Sequence, residues 1–235
     1  MDPLLISAAS GMKARQDSLD ILANNLANSN TAGYKADREY NNLYESQLPW
    51  IENRWTDFSQ GSDVETGNPL DLSLWGKGFF ALNGATSTVY TRNGSFRISK
   101  ANQLVSQDGM TLRNALDQGR PVVVDPTQPV TIDKSGIVTQ GGQQLGRLQI
   151  DQMPGQGDAI AKLGTSYFAL TEKGSAQTSP DTEVIQGHLE QSNVPVSDSA
   201  VRLINIMRQF EMLQRAVTLG SEMNRAAIEQ VARVN

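Results

Sequence analysis

Apolar positions near the start of the chain fall on a regular beat. Leu5, Ala8, Met12, Arg15, Leu19, Leu22 and Leu26 recur at alternating steps of three and four, a 3.5-residue period interrupted only by Arg15. That spacing predicts an amphipathic helix. Asp2 is placed to cap it, Pro3 suits the first helical position, and Gly33 can end the helix or the short turn after it. The last forty residues carry a second such stripe. Val196, Leu203, Phe210, Val217, Asn224 and Val231 repeat every seven, and Ser199, Ile206, Leu213, Gly220, Ala227 and Val234 fill the other seam position. Ser197 is expected as the N-cap of this helix, with Asp198 at the positive end of its dipole and Val196 and Val201 as a hydrophobic staple.

Between the two stripes the period changes. Residues 61–195 hold 17 of the 20 glycines and 7 of the 9 prolines, which predicts short strands and frequent turns. Candidate strands cover 71–74, 79–82, 89–92, 96–98, 103–105, 121–124, 130–132, 137–139, 145–150, 167–170 and 183–185, with Asn93-Gly94 as a strong tight-turn signal. Residues 34–67 show no clear period and place Tyr40, Trp50 and Trp55 among polar residues. This reads as an extended connector whose aromatics dock on something. The fold class predicted is α+β: an N-terminal helix (1–33), the connector (34–67), a central β-rich domain (68–194) and a C-terminal helix (195–235). Each helix is roughly 40 to 55 Å long at 1.5 Å per residue, longer than a compact domain of this size needs. The seams can close on each other as a hairpin within one chain, or on helices of neighbouring subunits. If the Phe210 site is well packed, Phe210→Ala costs about 3–5 kcal/mol.

Composition narrows the chemistry. There is no cysteine and a single histidine, His188, which excludes disulfides, thiolate metal sites, cysteine nucleophiles and multi-histidine centres. A net charge of −5 argues against binding nucleic acid by bulk electrostatics. No segment reaches the roughly 18 apolar residues of a membrane helix. The start, Met1-Asp2-Pro3, lacks a basic region, and the apolar stretch at 4–9 is short, so no cleaved signal peptide is expected. Gly76-Lys77-Gly78-Phe79-Phe80 fails the spacing of a phosphate loop and reads as a turn beside core aromatics. Asp108-Gly109 and Asp133-Lys134-Ser135-Gly136 read as hairpin turns rather than calcium loops. His188 reads as structural. No catalytic residue, metal ligand or cofactor site is expected.

Asn24-Asn25-Leu26-Ala27-Asn28 is poor helix-interior material. It reads either as a frayed helix end or as a packed joint, since amides both donate and accept. With Thr31-Ala32-Gly33-Tyr34-Lys35 it resembles the N-terminal signature of bacterial flagellar rod and hook proteins. Gly76-Lys77-Gly78-Phe79-Phe80 and Tyr90-Thr91-Arg92-Asn93-Gly94-Ser95-Phe96 resemble the two central signatures of the longer rod proteins. Leu104-Val105 before Asp108-Gly109 fits the strand and turn that follow, and Leu189-Glu190-Gln191-Ser192-Asn193-Val194 is similar to the motif leading into the family's last helix.

The resemblance implies a structural subunit of the flagellar basal body, without catalytic activity. In that family both terminal helices pair in an inner coiled-coil tube, and a β-rich domain lies outside. Subunits pass through the flagellar type III export apparatus without signal cleavage and assemble, with copies of themselves and other rod proteins, into a hollow rod. No nucleic acid and no membrane insertion are implied. Leu5, Leu19, Leu22, Asn24, Asn25, Leu26, Asn28, Leu203, Ile206, Phe210, Leu213 and Val217 are the expected assembly positions. Gly76, Gly78, Phe79, Phe80, Tyr90, Arg92, Gly94 and Phe96 carry the central motif. The smallest rod proteins lack these β signatures and the hook protein is longer. The 40 residues from 36 to 75, and Arg208-Gln209-Phe210-Glu211-Met212, resemble the FlgF type more than the distal-rod FlgG type, although Gln214-Arg215-Ala216 points the other way. A secreted fibre or adhesin, and a hydrolase with a carboxylate pair, are the competing classes.

Overall fold

A computed structural model describes residues 3–42, 50–154, 159–172 and 174–234. The chain forms two compact units. The helical unit comprises Met1–Ala27, Asp37–Trp55 and Pro195–Asn235, and the β unit comprises Asn28–Ala36 and Thr56–Val194.

In the helical unit, α1 (Pro3–Ala27, 25 residues) packs on α2 (Val196–Val234, 39 residues). Burial on α2 repeats the heptad. Ser199 is buried, and Leu203, Ile206, Phe210, Leu213, Val217 and Gly220 are half-buried while the positions between them are mostly exposed. On α1 the deepest line runs Ala8, Gly11, Ala14, Ser18, Ile21 and Asn25. From Gly11 onward it sits one residue before the expected seam; Met12, Arg15, Leu19, Leu22 and Leu26 flank it, half-buried. At Ala8, Gly11, Ala14 and Ser18 small side chains let neighbouring backbone come close and are covered completely, and Ile21 and Asn25 continue the same line. The Asp2 cap and the side chains of Leu5, Tyr40, Trp50, Ala227, Val231 and Val234 lie outside the described residues.

The start of α2 differs from expectation. Ser199 N donates to Pro195 O at 2.9 Å, an ordinary helical bond, so Ser197 sits inside the first turn. Pro195 takes the boundary because it has no N–H to leave unsatisfied. Val196 and Val201 are both exposed, and no staple forms. Asp198 does lie in the first turn, where the dipole favours a carboxylate.

The segment expected as a plain connector contains strands. β1 (Asp37–Asn42) pairs β2 (Trp50–Thr56), and β3 (Asp63–Glu65) follows. Trp55 is exposed rather than docked.

The β unit continues with β4 (Leu72–Trp75), β5 (Phe79–Asn83), β6 (Thr88–Thr91), β7 (Phe96–Ile98), β8 (Leu104–Ser106) and β9 (Thr111–Leu112). After these come β10 (Val130–Ile132), β11 (Ile137–Gln140), β12 (Gln143–Arg147), β13 (Ile150–Gln152), β14 (Ile160–Leu163), β15 (Tyr167–Leu170) and β16 (Gln177–Thr178). β17 (Glu183–Gln186) and β18 (His188–Glu190) close the unit. The main sheet runs β14-β15-β6-β5-β9-β8-β7, with β13 bridging β5 and β16. β10-β11-β12 form a meander, β17 pairs β4, and β18 pairs β3, all antiparallel. Residues 121–124 contribute only isolated bridges, Arg113 to Pro121 and Gln103 to Val123. The expected strand at 145–150 splits into the end of β12 and the start of β13, because Leu148 between them bridges Asn114.

β5 explains why its run is apolar throughout. Phe80 and Leu82 enter the larger core with Leu72, Phe96, Leu104 and Ile150. Phe79 and Ala81 enter a second core on the other face with Tyr90, Met153 and Phe168. A strand covered on both faces has no polar side to alternate with.

Candidate functional site

Three of the signature segments, those holding Lys35, Arg92 and Glu190, meet inside the β unit at Glu190, the last residue of β18. Its Oε1 accepts from Lys35 Nζ at 2.6 Å and from Gly61 N at 2.9 Å, and its Oε2 accepts from Arg92 Nη1 at 3.0 Å. The exposures of Lys35, Arg92 and Glu190 are 0, 2 and 1 %. Two cations face one carboxylate, so the remaining donors need other acceptors. Lys35 Nζ also donates to Ser59 O at 2.6 Å, Arg92 Nη1 to Leu74 O, and Arg92 Nη2 to Gly76 O. The Arg92 guanidinium lies over the Phe79 ring, 5.1 Å from its centre. Burial lowers the proton affinity of both cations below their ordinary ranges, and the Glu190 charge pulls against it. A buried charge is tolerated only when paired and hydrogen-bonded, and the Glu190 carboxylate accepts from three distant stretches of sequence, while Arg92 Nε is buried with no hydrogen-bond partner among the described residues.

The glycines of the motifs make that closeness possible. Gly33 has φ +68°, and a Cβ there would lie 2.2 Å from Asn93 N. A Cβ on Gly94 would lie 1.6 Å from Leu72 O. Gly33 therefore ends the turn after α1 rather than α1 itself. In the central motif, Gly76 turns β4 away with φ +128°, and Gly78 N donates to Thr182 Oγ1 at 3.0 Å. Phe80 meets Phe96 edge-on with centroids 5.2 Å apart, and Tyr90 is buried. Tyr34 is fully buried beneath Lys162 Nζ, which lies 4.0 Å from its ring centre and donates to Lys35 O.

Asn25 forms a packed joint rather than a frayed end. In the helical unit, the Asn25 amide donates to Asp37 O at 2.7 Å and accepts from Asp37 N at 2.9 Å. In the β unit, Asn28 O accepts from Thr31 N and Tyr34 N donates to Thr31 O, which shapes the following turn. Asn24 is exposed.

Of the expected assembly positions on the helices, Leu19, Leu22, Leu26, Leu203, Ile206, Phe210, Leu213 and Val217 are half-buried within this chain, Asn25 is buried and Asn24 is exposed. An open groove of about 590 Å³ separates Ala9, Met12, Lys13 and Gln16 of α1 from Phe210, Gln214, Val217 and Thr218 of α2. Arg15 makes no ion pair with Glu211 or Glu222 among the described residues. Other large apolar side chains of α2, including Ile204, Met207, Met212, Leu219 and Met223, are exposed.

Lys35, Arg92 and Glu190 each stand in a signature motif, but only Arg92 is a predicted motif position, and the sequence does not state that the three are neighbours. The available signal was a lysine and a glutamate inside otherwise uncharged signature segments. His188 is a strand-pairing residue, its Nδ1 lying 2.6 Å from Asp63 Oδ2 across β18 and β3. Among the described residues no group of His, Cys, Asp and Glu is placed to hold a metal ion, and no helix is long and apolar enough to cross a membrane.

Comparison with known proteins follows the same three segments. Residues 5–35 match the family described as "Flagella basal body rod protein", residues 73–140 match "Flagellar hook protein FlgE/F/G D1 domain", and residues 185–230 match "Flagellar basal body rod FlgEFG protein C-terminal". The chain is 31 % identical to the flagellar basal-body rod protein FlgF of Caulobacter vibrioides over 248 aligned residues, covering all of both chains. It is 32 % identical to the rod protein FlgG of Agrobacterium fabrum, over 93 % of this chain and 95 % of that one. It is 29 % identical to FlgF of Mesorhizobium japonicum, over 90 % of each. Lys35, Arg92 and Glu190 each come from a different one of the three matched segments, and with a full-length relative above 30 % identity the chain belongs to the flagellar basal-body rod protein family of the FlgF/FlgG type, a structural and not an enzymatic family.

Proposed function

We propose that this chain is an FlgF-type subunit that builds a hollow axial tube from α1 and α2, with the β unit outside it. As a member of the rod family it is a structural subunit of the basal-body rod that assembles with other rod subunits, which sets aside the fibre and hydrolase classes. The proposal adds that copies of the chain contact one another, that residues 1–33 and 195–235 form the axial segments, that 34–67 connects them to an outer domain at 68–194, and that the subunit travels through the type III export apparatus without signal cleavage.

One observation carries the reading: the seam is unfinished in a single chain. Leu203, Ile206, Phe210, Leu213 and Val217 fall on one heptad stripe, yet each is only half-buried, as are Leu19, Leu22 and Leu26. At 39 residues against 25, α2 is also too long for α1 to cover. Partly wet apolar stripes gain by burying against neighbours. The full-length match to an FlgF protein supports the FlgF type, and the FlgG relative at 32 % identity keeps the distal rod as the second reading.

The test is Phe210→Asp in a strain expressing the chain as its sole copy. Loss of rods and of swimming, with the variant still expressed, is expected. Motile cells with intact rods would overturn the seam assignment. Copy number in purified hook–basal bodies separates the types: a few copies per particle fits FlgF, and many fits FlgG.

A further inference from the structure

The chain carries seven methionines and no cysteine, so its thioethers are the only sulfur open to oxidation. Met1 lies outside the described residues, and the other six are graded sharply by their surroundings. Met153 is 2 % exposed and sealed in the second core of the β unit with Phe79 and Phe168. Met110 is half-buried against the larger core, and Met12 is half-buried on α1. Met207, Met212 and Met223 of α2 are 49, 60 and 72 % exposed. Val201, Met212, Leu219 and Met223 follow one another at steps of eleven, seven and four residues, so they share one face of α2, turned away from the stripe of Leu203, Phe210 and Val217. Met207 lies between the two faces.

We propose that Met207, Met212 and Met223 form an oxidation site at which a peroxide disables the unassembled subunit. The oxidant is hydrogen peroxide or another small hydroperoxide, which reaches an exposed thioether directly. A sulfur lone pair attacks one peroxide oxygen, the S–O bond forms as the O–O bond breaks, and the departing hydroxide takes a proton and leaves as water. Sulfur loses two electrons and the peroxide gains them. No thiol in the chain competes for the oxidant, and none can reverse the step, so recovery needs an external sulfoxide reductase. The product replaces a flexible apolar side chain with a polar one. In the free chain the new oxygen stays in water at little cost. Buried against a neighbouring helix it must give up its water, which is unfavourable without a hydrogen-bond donor to replace it. That consequence rests on the rod-assembly reading. The grading of the methionines does not, nor does it need α2 to be paired with α1, since an unpaired α2 exposes the three thioethers further.

The experiment has two arms. In the first, the purified full-length chain is treated with hydrogen peroxide and sulfoxide is mapped by peptide mass spectrometry over time. Met207, Met212 and Met223 are expected to oxidise at least tenfold faster than Met153, and urea should bring Met153 to their rate. Equal rates in the folded chain would overturn the site. In the second arm, cells carry the chain as their sole copy with all three positions changed together. Met207→Gln, Met212→Gln and Met223→Gln, a permanent polar substitute, should abolish rods and swimming with the protein still expressed and its β unit folded. Met207→Leu, Met212→Leu and Met223→Leu should keep both, because leucine and methionine exchange at little cost. A swimming triple-Gln strain would overturn the proposal even where Phe210→Asp blocks the rod. A triple-Leu strain without rods would overturn it as well, since the thioethers would then do more than stay apolar.

Discussion

The two units solve opposite problems. The β unit seals its cores: Phe79, Phe80, Leu82 and Phe168 have no exposure, and even Lys35, Arg92 and Glu190 are buried among hydrogen-bond partners, while Trp75, Leu116, Val123 and Leu163 stay at its surface. The helical unit leaves its seam half in water and keeps Met212, Leu219 and Met223 exposed. In the β unit, order comes from contacts distant in sequence, with β17 pairing β4 and β18 pairing β3. In the helical unit, order comes from a local repeat that any similar helix can satisfy. A unit that completes itself suits a fixed domain, and one that does not suits an interface.

The sharpest way to break this contrast is a deletion in the sealed core. Phe80 has no exposure and meets Phe96 edge-on. Phe80→Ala should cost about 3–5 kcal/mol, the transfer of the ring plus the cavity it leaves. Chemical denaturation followed by circular dichroism of the β unit's strands reads this cost. A cost below about 1 kcal/mol would mean that the β unit is loosely packed after all.

That contrast also explains what sequence could reveal. The helices were legible because their period is local, and the strands around the Phe-Phe and Asn-Gly motifs because their turn chemistry is explicit. The burial line on α1 was missed because hydrophobicity marks leucines, whereas close approach selects Ala14 and Ser18 beside them. β1 and β2 were missed because their polar residues show no alternation. The Glu190 cluster joins positions up to 155 residues apart, and nothing in a single sequence states that Lys35 and Glu190 are neighbours.

A middle-sized effect tests how dry the second core is. Burial, with a smaller contribution from the Asp151 charge, pushes the Tyr90 phenol up to about 12. Unfolded, it ionises near 10. Between these values the unfolded chain holds fewer protons than the folded one, so stability falls as pH rises from about 10 to 12. The loss from this group should approach roughly 2 kcal/mol, and Tyr90→Phe should remove that part of the alkaline slope. An unchanged slope in Tyr90→Phe would mean that water reaches the ring oxygen.

The smallest effect on the isolated chain is expected at Phe210, and there the two units should part most clearly. A half-buried ring has less transfer energy to lose than Phe80, and little cavity forms where solvent already reaches. Phe210→Ala in the monomer should therefore cost about 1 kcal/mol, seen as a small shift in the denaturation midpoint. If neighbouring helices complete the burial on assembly, the same substitution carries the full cost of about 3–5 kcal/mol in the polymer. The difference, roughly 2–4 kcal/mol per subunit, raises the concentration needed to polymerise by about thirtyfold or more, since each 1.4 kcal/mol is tenfold. Sedimentation of the polymer across a dilution series measures that threshold. Monomer and polymer shifted equally would mean that the seam is already satisfied within one chain, as in a closed hairpin, and the contrast between the two units would then be one of packing style and not of function.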